Sequence, residues 1–163
     1  MDSLIDVRGY YTNYDDSYEI ENSWYGKVLL NSDNTFEGVV TDYSETSDYF
    51  VFGTITSEQI TLIKCMKNDE EVPKQYLVYK DKSCFEGEVS AKDLYVEVPM
   101  GECRILINPA DSIRDIGEYE LLFLRNKIAH VKESFGDRTK ELYDDFLKRK
   151  KDSNKKIIKH KNK

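Results

Sequence analysis

The chain is poor in the residues from which most small enzymes and disulfide-stapled domains are built. Its 163 residues include two histidines and three cysteines. Cys65, Cys84 and Cys103 are odd in number, show no C-x-x-C pairing and each fall in a strand-like run. That pattern argues against a disulfide framework or a zinc site and reads as reduced thiols in a cytoplasmic protein. His160 lies in a lysine-rich segment, which leaves His130 as the one candidate general base titrating near neutrality. No phosphate-cradling glycine loop, nucleophile elbow or Cys/His metal cluster is present. No apolar run approaches the roughly 18 residues of a membrane span. The opening Met1–Asp6 has neither the positive region nor the apolar run of a signal peptide. The reading is of a protein with no cofactor, no metal and no membrane span.

Basic residues are scarce as well, except at one place. From Lys148 to Lys163 there are nine Lys or Arg and one acid, Asp152; the other 147 residues carry 15 basic and 30 acidic side chains, a balance of −15. An acidic body repels polyanions, so its surface is a poor nucleic-acid platform. The basic segment, residues 151–163, reads as a disordered solubilising tail, with a tether for RNA or an anionic membrane as the alternative.

What the chain has in quantity is aromatic residues, twelve tyrosines and seven phenylalanines. Three times an aromatic precedes a glycine by two positions: Trp24-Tyr25-Gly26, Phe36-Glu37-Gly38 and Phe85-Glu86-Gly87, while Val51-Phe52-Gly53 has an aliphatic in the ring position. In a strand these two positions share a face, so the ring fills an interior and the glycine permits sharp coiling. Eight or nine strand-like runs follow in succession, approximately Val7–Tyr14, Trp24–Leu30, Thr35–Asp42, Tyr49–Thr56, Gln59–Met66, Gln75–Lys80, Ser83–Val89, Leu94–Val98 and Glu102–Ile107. Their connections are short and rich in turn residues, Pro99-Met100-Gly101 among them, which predicts an antiparallel meander. Leu94, Val96 and Val98 are expected on a buried face. The fold class predicted is mainly β: a small up-and-down barrel of eight or nine strands over residues 1–108. Residues 7–108 resemble calycin-like barrels, the broad group of lipocalins and avidins. That resemblance implies a small ligand entering an open end, where Trp24, Phe36 and Phe85 would line the pocket. The alternative is that those rings are plain core.

After Pro109 the period changes. Ser112-Ile113-Arg114-Asp115 reads as a capping box, and Ile113, Ile116, Tyr119, Phe123, Leu124, Ile128 and Val131 recur at helical spacing. Gly136 reads as a helix end and Asp137 as the next cap, with Leu142, Tyr143, Phe146 and Leu147 on the stripe that follows. Residues 109–150 are therefore a helical hairpin, packed on the barrel or on a second subunit. The face over residues 113–131 is wide enough to suggest a homodimer through it.

One segment carries a chemical hypothesis. Arg125-Asn126-Lys127-Ile128-Ala129-His130 resembles the R-N-x-x-A-H signature of HEPN ribonucleases, which implies metal-independent RNA cleavage. By that resemblance His130 would handle the proton of the 2′-hydroxyl, Arg125 would stabilise the phosphorane and Asn126 would orient the site. Asn126 and His130 share a helix face, whereas Arg125 and His130 differ by roughly 140°, so one phosphate would need two copies in a dimer. RNA is a partner under this alternative only. Glu37 and Glu86, outward-facing in the alternation, are a weaker carboxylate pair. The leading reading is a non-enzymatic binding protein, with a small ligand in the barrel or a protein partner on the helices.

Overall fold

A computed structural model describes residues 3–15, 21–44, 47–108 and 118–161. Eight antiparallel strands close into an up-and-down barrel in chain order: β1 (Ser3–Asn13), β2 (Asn22–Leu30), β3 (Thr35–Asp42), β4 (Asp48–Ile55), β5 (Gln59–Cys65), β6 (Lys74–Asp81), β7 (Cys84–Lys92) and β8 (Glu97–Asn108). β1 pairs with both β2 and β8, which leaves no free sheet edge. Two helices follow, α1 (Glu118–Lys132) and α2 (Asp137–Lys161).

The aromatic-x-glycine repeat works as the alternation predicts. Trp24, Phe36 and Phe85 are buried in one interior cluster with Val28, Val40, Leu62, Tyr76 and Ile105. The strand partner crosses so tightly at Gly53 that a Cβ there would overlap the Thr61 carbonyl oxygen. Gly9 makes a different allowance, since its missing side chain is the space the Trp24 indole occupies. A second apolar cluster lies outside the barrel, where Leu29, Val39, Phe50, Phe52 and Cys65 meet Leu124 and Ile128 of α1 and Leu142 of α2. The run Tyr49-Phe50-Val51-Phe52 is apolar at every position because both faces of β4 are covered.

Four expectations are corrected. Leu94–Val98 and Glu102–Ile107 are not two strands: Pro99-Met100-Gly101 runs inside β8 rather than turning. The register shifts between Val89 and Ser90, with Ser90 opposite Pro99 and Val89 opposite Gly101, so the irregularity accommodates the proline without breaking the strand. Leu94, Val96 and Val98 are exposed, because this stretch forms the β7–β8 connection and the rim beyond it. Asp93 shapes that connection by accepting the N–H groups of Tyr95 (2.8 Å) and Val96 (2.9 Å). α2 continues to Lys161, where a disordered tail was expected from residue 151; lysine is a good helix former, and extending an existing helix carries no nucleation cost.

The third correction concerns the helix stripe. Leu124 and Ile128 of α1 are buried, with Leu121 and Val131 packed beside them, but Tyr119 and Phe123 face outward with Leu122. The proposed Ser112–Asp115 capping box, Ile113 and Ile116 lie outside the described residues. The fourth concerns the second cap. Gly136 accepts the first helical bond of α2 from Lys140 N–H (3.0 Å) and so holds the cap position itself. Asp69, from the β5–β6 connection, supplies the missing side chain: its carboxylate accepts Arg138 N–H (2.8 Å), Thr139 N–H (3.2 Å) and the buried Thr139 hydroxyl (2.9 Å). A Cβ on Gly136 would overlap that carboxylate, so the glycine is needed for a close approach.

Candidate functional site

The calycin-like resemblance pointed to the barrel interior, and the rings placed there by sequence are core. Trp24, Phe36 and Phe85 are buried among neighbours, with the Trp24 ring edge-on to Tyr76 at 5.4 Å between centroids. Trp24 Nε1 and the Tyr76 hydroxyl are buried, and neither makes a hydrogen bond of acceptable geometry among the described residues. Burial pushes the Tyr76 hydroxyl well above its ordinary pKa; the nearby Tyr11 adds to the rise, and the Trp24 indole opposes it. The same interior face carries Lys64 and Asp42, which pair at 2.9 Å with almost no exposure. Lys64 Nζ also lies 4.1 Å from the Tyr49 ring centroid. Burial lowers the Lys64 pKa, while the hydrogen bond and charge of Asp42 oppose that shift.

The large open concavity is outside, between α1 and the wall made by β1, β2, β3 and β8. It measures about 1120 Å³, and its apolar lining includes Tyr25, Val39, Leu106, Tyr119, Phe123 and Leu124. Charged groups rim it. Lys27 reaches Asp6 (3.9 Å) and Glu120 (3.7 Å), Lys127 reaches Asp48 (3.4 Å), and Arg8 lines the same wall. Tyr25 stacks on Tyr43 at 4.5 Å, and both rings are exposed beside the groove. Above it α1 presents Tyr119, Leu122 and Phe123, which are 88%, 56% and 70% exposed.

The HEPN-like residues sit on this same helix. Asn126 and His130 are exposed, and His130 Nδ1 lies 4.0 Å from Glu133 Oε2. Arg125 is exposed too. Within one chain the three are presented to solvent along α1 rather than gathered in a cleft, as the helix spacing implies. Glu37 and Glu86 are not a catalytic pair. Glu37 lies under the helices, where it accepts hydrogen bonds from Lys132 of α1 (2.8 Å) and from the Tyr143 hydroxyl of α2. Glu86 is exposed on β7 and accepts from Cys84 (3.8 Å). Among the described residues no group of three or more His, Cys, Asp or Glu side chains is placed to hold a metal ion. No helix there is long and apolar enough to cross a membrane.

Sequence reasoning missed the groove because its walls come from four strands and a helix far apart in the chain. The usable signal was the excess of apolar residues on α1, since a helix with apolar residues on both sides covers one surface and offers another. Comparison with known proteins finds no family, no curated protein and no solved structure that this chain matches.

Proposed function

We propose that the chain is a non-enzymatic interaction protein whose partner docks on the outer face of α1, over the groove, and that this partner is a second copy of the same chain. The observation that carries the reading is the exposure of Tyr119, Leu122 and Phe123 on two successive turns beside an apolar groove. Soluble proteins rarely leave three large apolar side chains contiguous on a helix without a partner. The choice of a second copy rests on charge. α1 carries Glu118 and Glu120 near its start and Lys127 and His130 near its end, while Lys132 turns inward to Glu37. A two-fold antiparallel pairing about Asn126 sets the acidic half of each helix against the basic half of its mate. The same pairing seats Phe123 opposite Ala129, a large residue against a small one. Opposed helix dipoles add a favourable term.

Sedimentation velocity across a concentration series tests this. The wild type is expected as a dimer and Phe123→Glu as a monomer with an unchanged circular-dichroism spectrum. A wild type that stays monomeric at high micromolar concentration overturns the reading.

One observation favours a second reading, the HEPN-like ribonuclease. Asn126 and His130 lie on the free face that the pairing would bring to a shared surface, with Arg125 beside it. RNA cleavage in EDTA that His130→Ala abolishes would establish it; no cleavage by either protein removes it.

A further inference from the structure

We propose that the part of α2 beyond the barrel rim is a docking element for the phosphates of nucleic acid. α2 runs along the barrel wall from end to end. Its first turn is held by Asp69, in the β5–β6 connection, and Lys150 Nζ reaches Asp33 Oδ2 (3.5 Å) in the β2–β3 turn. In an up-and-down barrel those two connections lie at opposite ends. The helix therefore passes the rim at Lys150 and continues for eleven residues to Lys161, or roughly 16 Å at the α-helical rise.

The residues that anchor the helix and those that pass the rim differ in kind. At the rim Arg149 pairs with Asp145 (3.0 Å) and Lys150 with Asp33 (3.5 Å). Beyond it the helix carries Lys151, Lys155, Lys156, Lys159 and Lys161 against one acid, Asp152. Helical periodicity puts positions 151, 155 and 159 in one row. Lysines in a final helical turn are ordinary compensation for the helix dipole, but that effect fades within one turn, and Lys151, Lys155 and Lys156 come earlier. Like charges four apart cost about 0.2–0.5 kcal/mol per pair, so the row is a liability until anions neutralise it.

The pull of the acidic body weakens toward the helix end. The helix end stands about two Debye lengths past the rim at physiological salt, where Debye screening is about 8 Å. An anionic membrane is the poorer match, because a surface-lying helix needs a broad apolar face and this segment has Ile157 and Ile158 alone. A polyanion needs only a row of cations on a rod, and a helix about 10–12 Å across fits a major groove about 12 Å wide. Binding is expected to be largely independent of base sequence, because a row of lysines neutralises phosphates whatever the bases between them.

The test is fluorescence anisotropy of a labelled DNA duplex and an RNA duplex with the full chain, beside a Lys151→Glu/Lys155→Glu/Lys159→Glu variant. About four phosphate contacts imply a loss of affinity on the order of 100-fold between roughly 50 and 200 mM salt. The variant is expected to lose binding while keeping the wild-type melting temperature. Helicity at 222 nm should rise when the wild type binds, as the lysine row is neutralised. The proposal is overturned if neither duplex is bound at the lower salt, or if the variant binds as the wild type does. It is equally overturned if phosphatidylserine vesicles capture the wild type and the duplexes do not.

Discussion

The ion pair inside the barrel gives the most demanding test of how this fold is held. Lys64 and Asp42 face each other across 2.9 Å, with side-chain exposures of 1% and 8%, and the ammonium also sits against the Tyr49 ring. Two charges taken from water are tolerated when each satisfies the other, so the cost falls on breaking the pair rather than on removing it whole. Lys64→Met leaves a buried carboxylate facing hydrocarbon and is expected to cost about 3–5 kcal/mol. Asp42→Leu strands the ammonium and should cost a similar amount. For a chain of this size each kilocalorie moves the midpoint by about 2–4 °C, so either single variant melts roughly 6–20 °C below the wild type. The double variant Asp42→Leu/Lys64→Met is expected within about 1 kcal/mol of the wild type or above it, since matched apolar replacements of buried pairs are often neutral or stabilising. Urea denaturation of the four proteins closes the cycle, with equal slopes confirming that the same surface unfolds in each. Two mild, additive singles would refute the argument: each losing less than about 1 kcal/mol, with no coupling, means that water reaches the pair.

Two further perturbations act elsewhere. Asp69→Ala removes the cap that β5–β6 lends to α2 and leaves the Thr139 hydroxyl buried without its acceptor; the expected loss is about 2–4 kcal/mol, with Asp69→Asn recovering part. Amide exchange at Arg138 and Thr139 reads it directly, and unchanged protection there would show that the cap does not hold the helix. At alkaline pH the buried thiols act first, ahead of the Tyr76 hydroxyl. Burial pushes Cys65 and Cys103 from 9.0 to about 12, so the folded state keeps protons that the unfolded chain has lost. That stabilisation is whole below pH 9.0 and is withdrawn as pH climbs toward 12, by on the order of 4 kcal/mol for each thiol at full deprotonation. Lys64, lowered by burial, works the other way below its ordinary 10.5, so the net decline steepens above that value. Melting curves from neutral to about pH 11 should fall steeply for the wild type and less so for Cys65→Ala; equal slopes would mean that the thiol is not desolvated.

The barrel was legible because its code is local. Period-two alternation, a ring two places before a glycine and short polar connections each report on strands independently, and eight agreeing signals leave little else for the chain to form. Errors arose where a residue's meaning depends on a distant neighbour. Pro99 reads as a turn until it is seen at an irregularity opposite Ser90. Gly136 reads as a helix end until Asp69, 67 positions earlier, is found standing where its side chain would be. Lys64 shares a strand face with Ile60 and Leu62, and only its pairing with Asp42, two strands away, makes its burial intelligible. Trp24 was expected to line an opening, yet Gly9 on the adjacent strand accepts the indole and the space is filled.

The same dependence explains where function is to be sought. The interior of this barrel is committed to packing, with its charges matched at 2.9 Å and its rings against one another. The two helices each divide their labour along a different direction. α1 is divided by face: Leu124 and Ile128 attach it to the barrel while Tyr119, Leu122 and Phe123 look away. α2 is divided by length, its first half bound to the wall through Leu142, Tyr143 and Phe146 while its backbone continues past Lys150 to Lys161. In both helices the apolar contacts with the barrel supply rigidity to the part that does not touch it. A free helix of α1's composition would fray, and eleven lysine-rich residues alone would not stay helical. On the two proposals made above, the barrel is the platform that carries both helices. A variant that unseats α2, such as Asp69→Ala, should weaken duplex binding in parallel with its loss of helix protection.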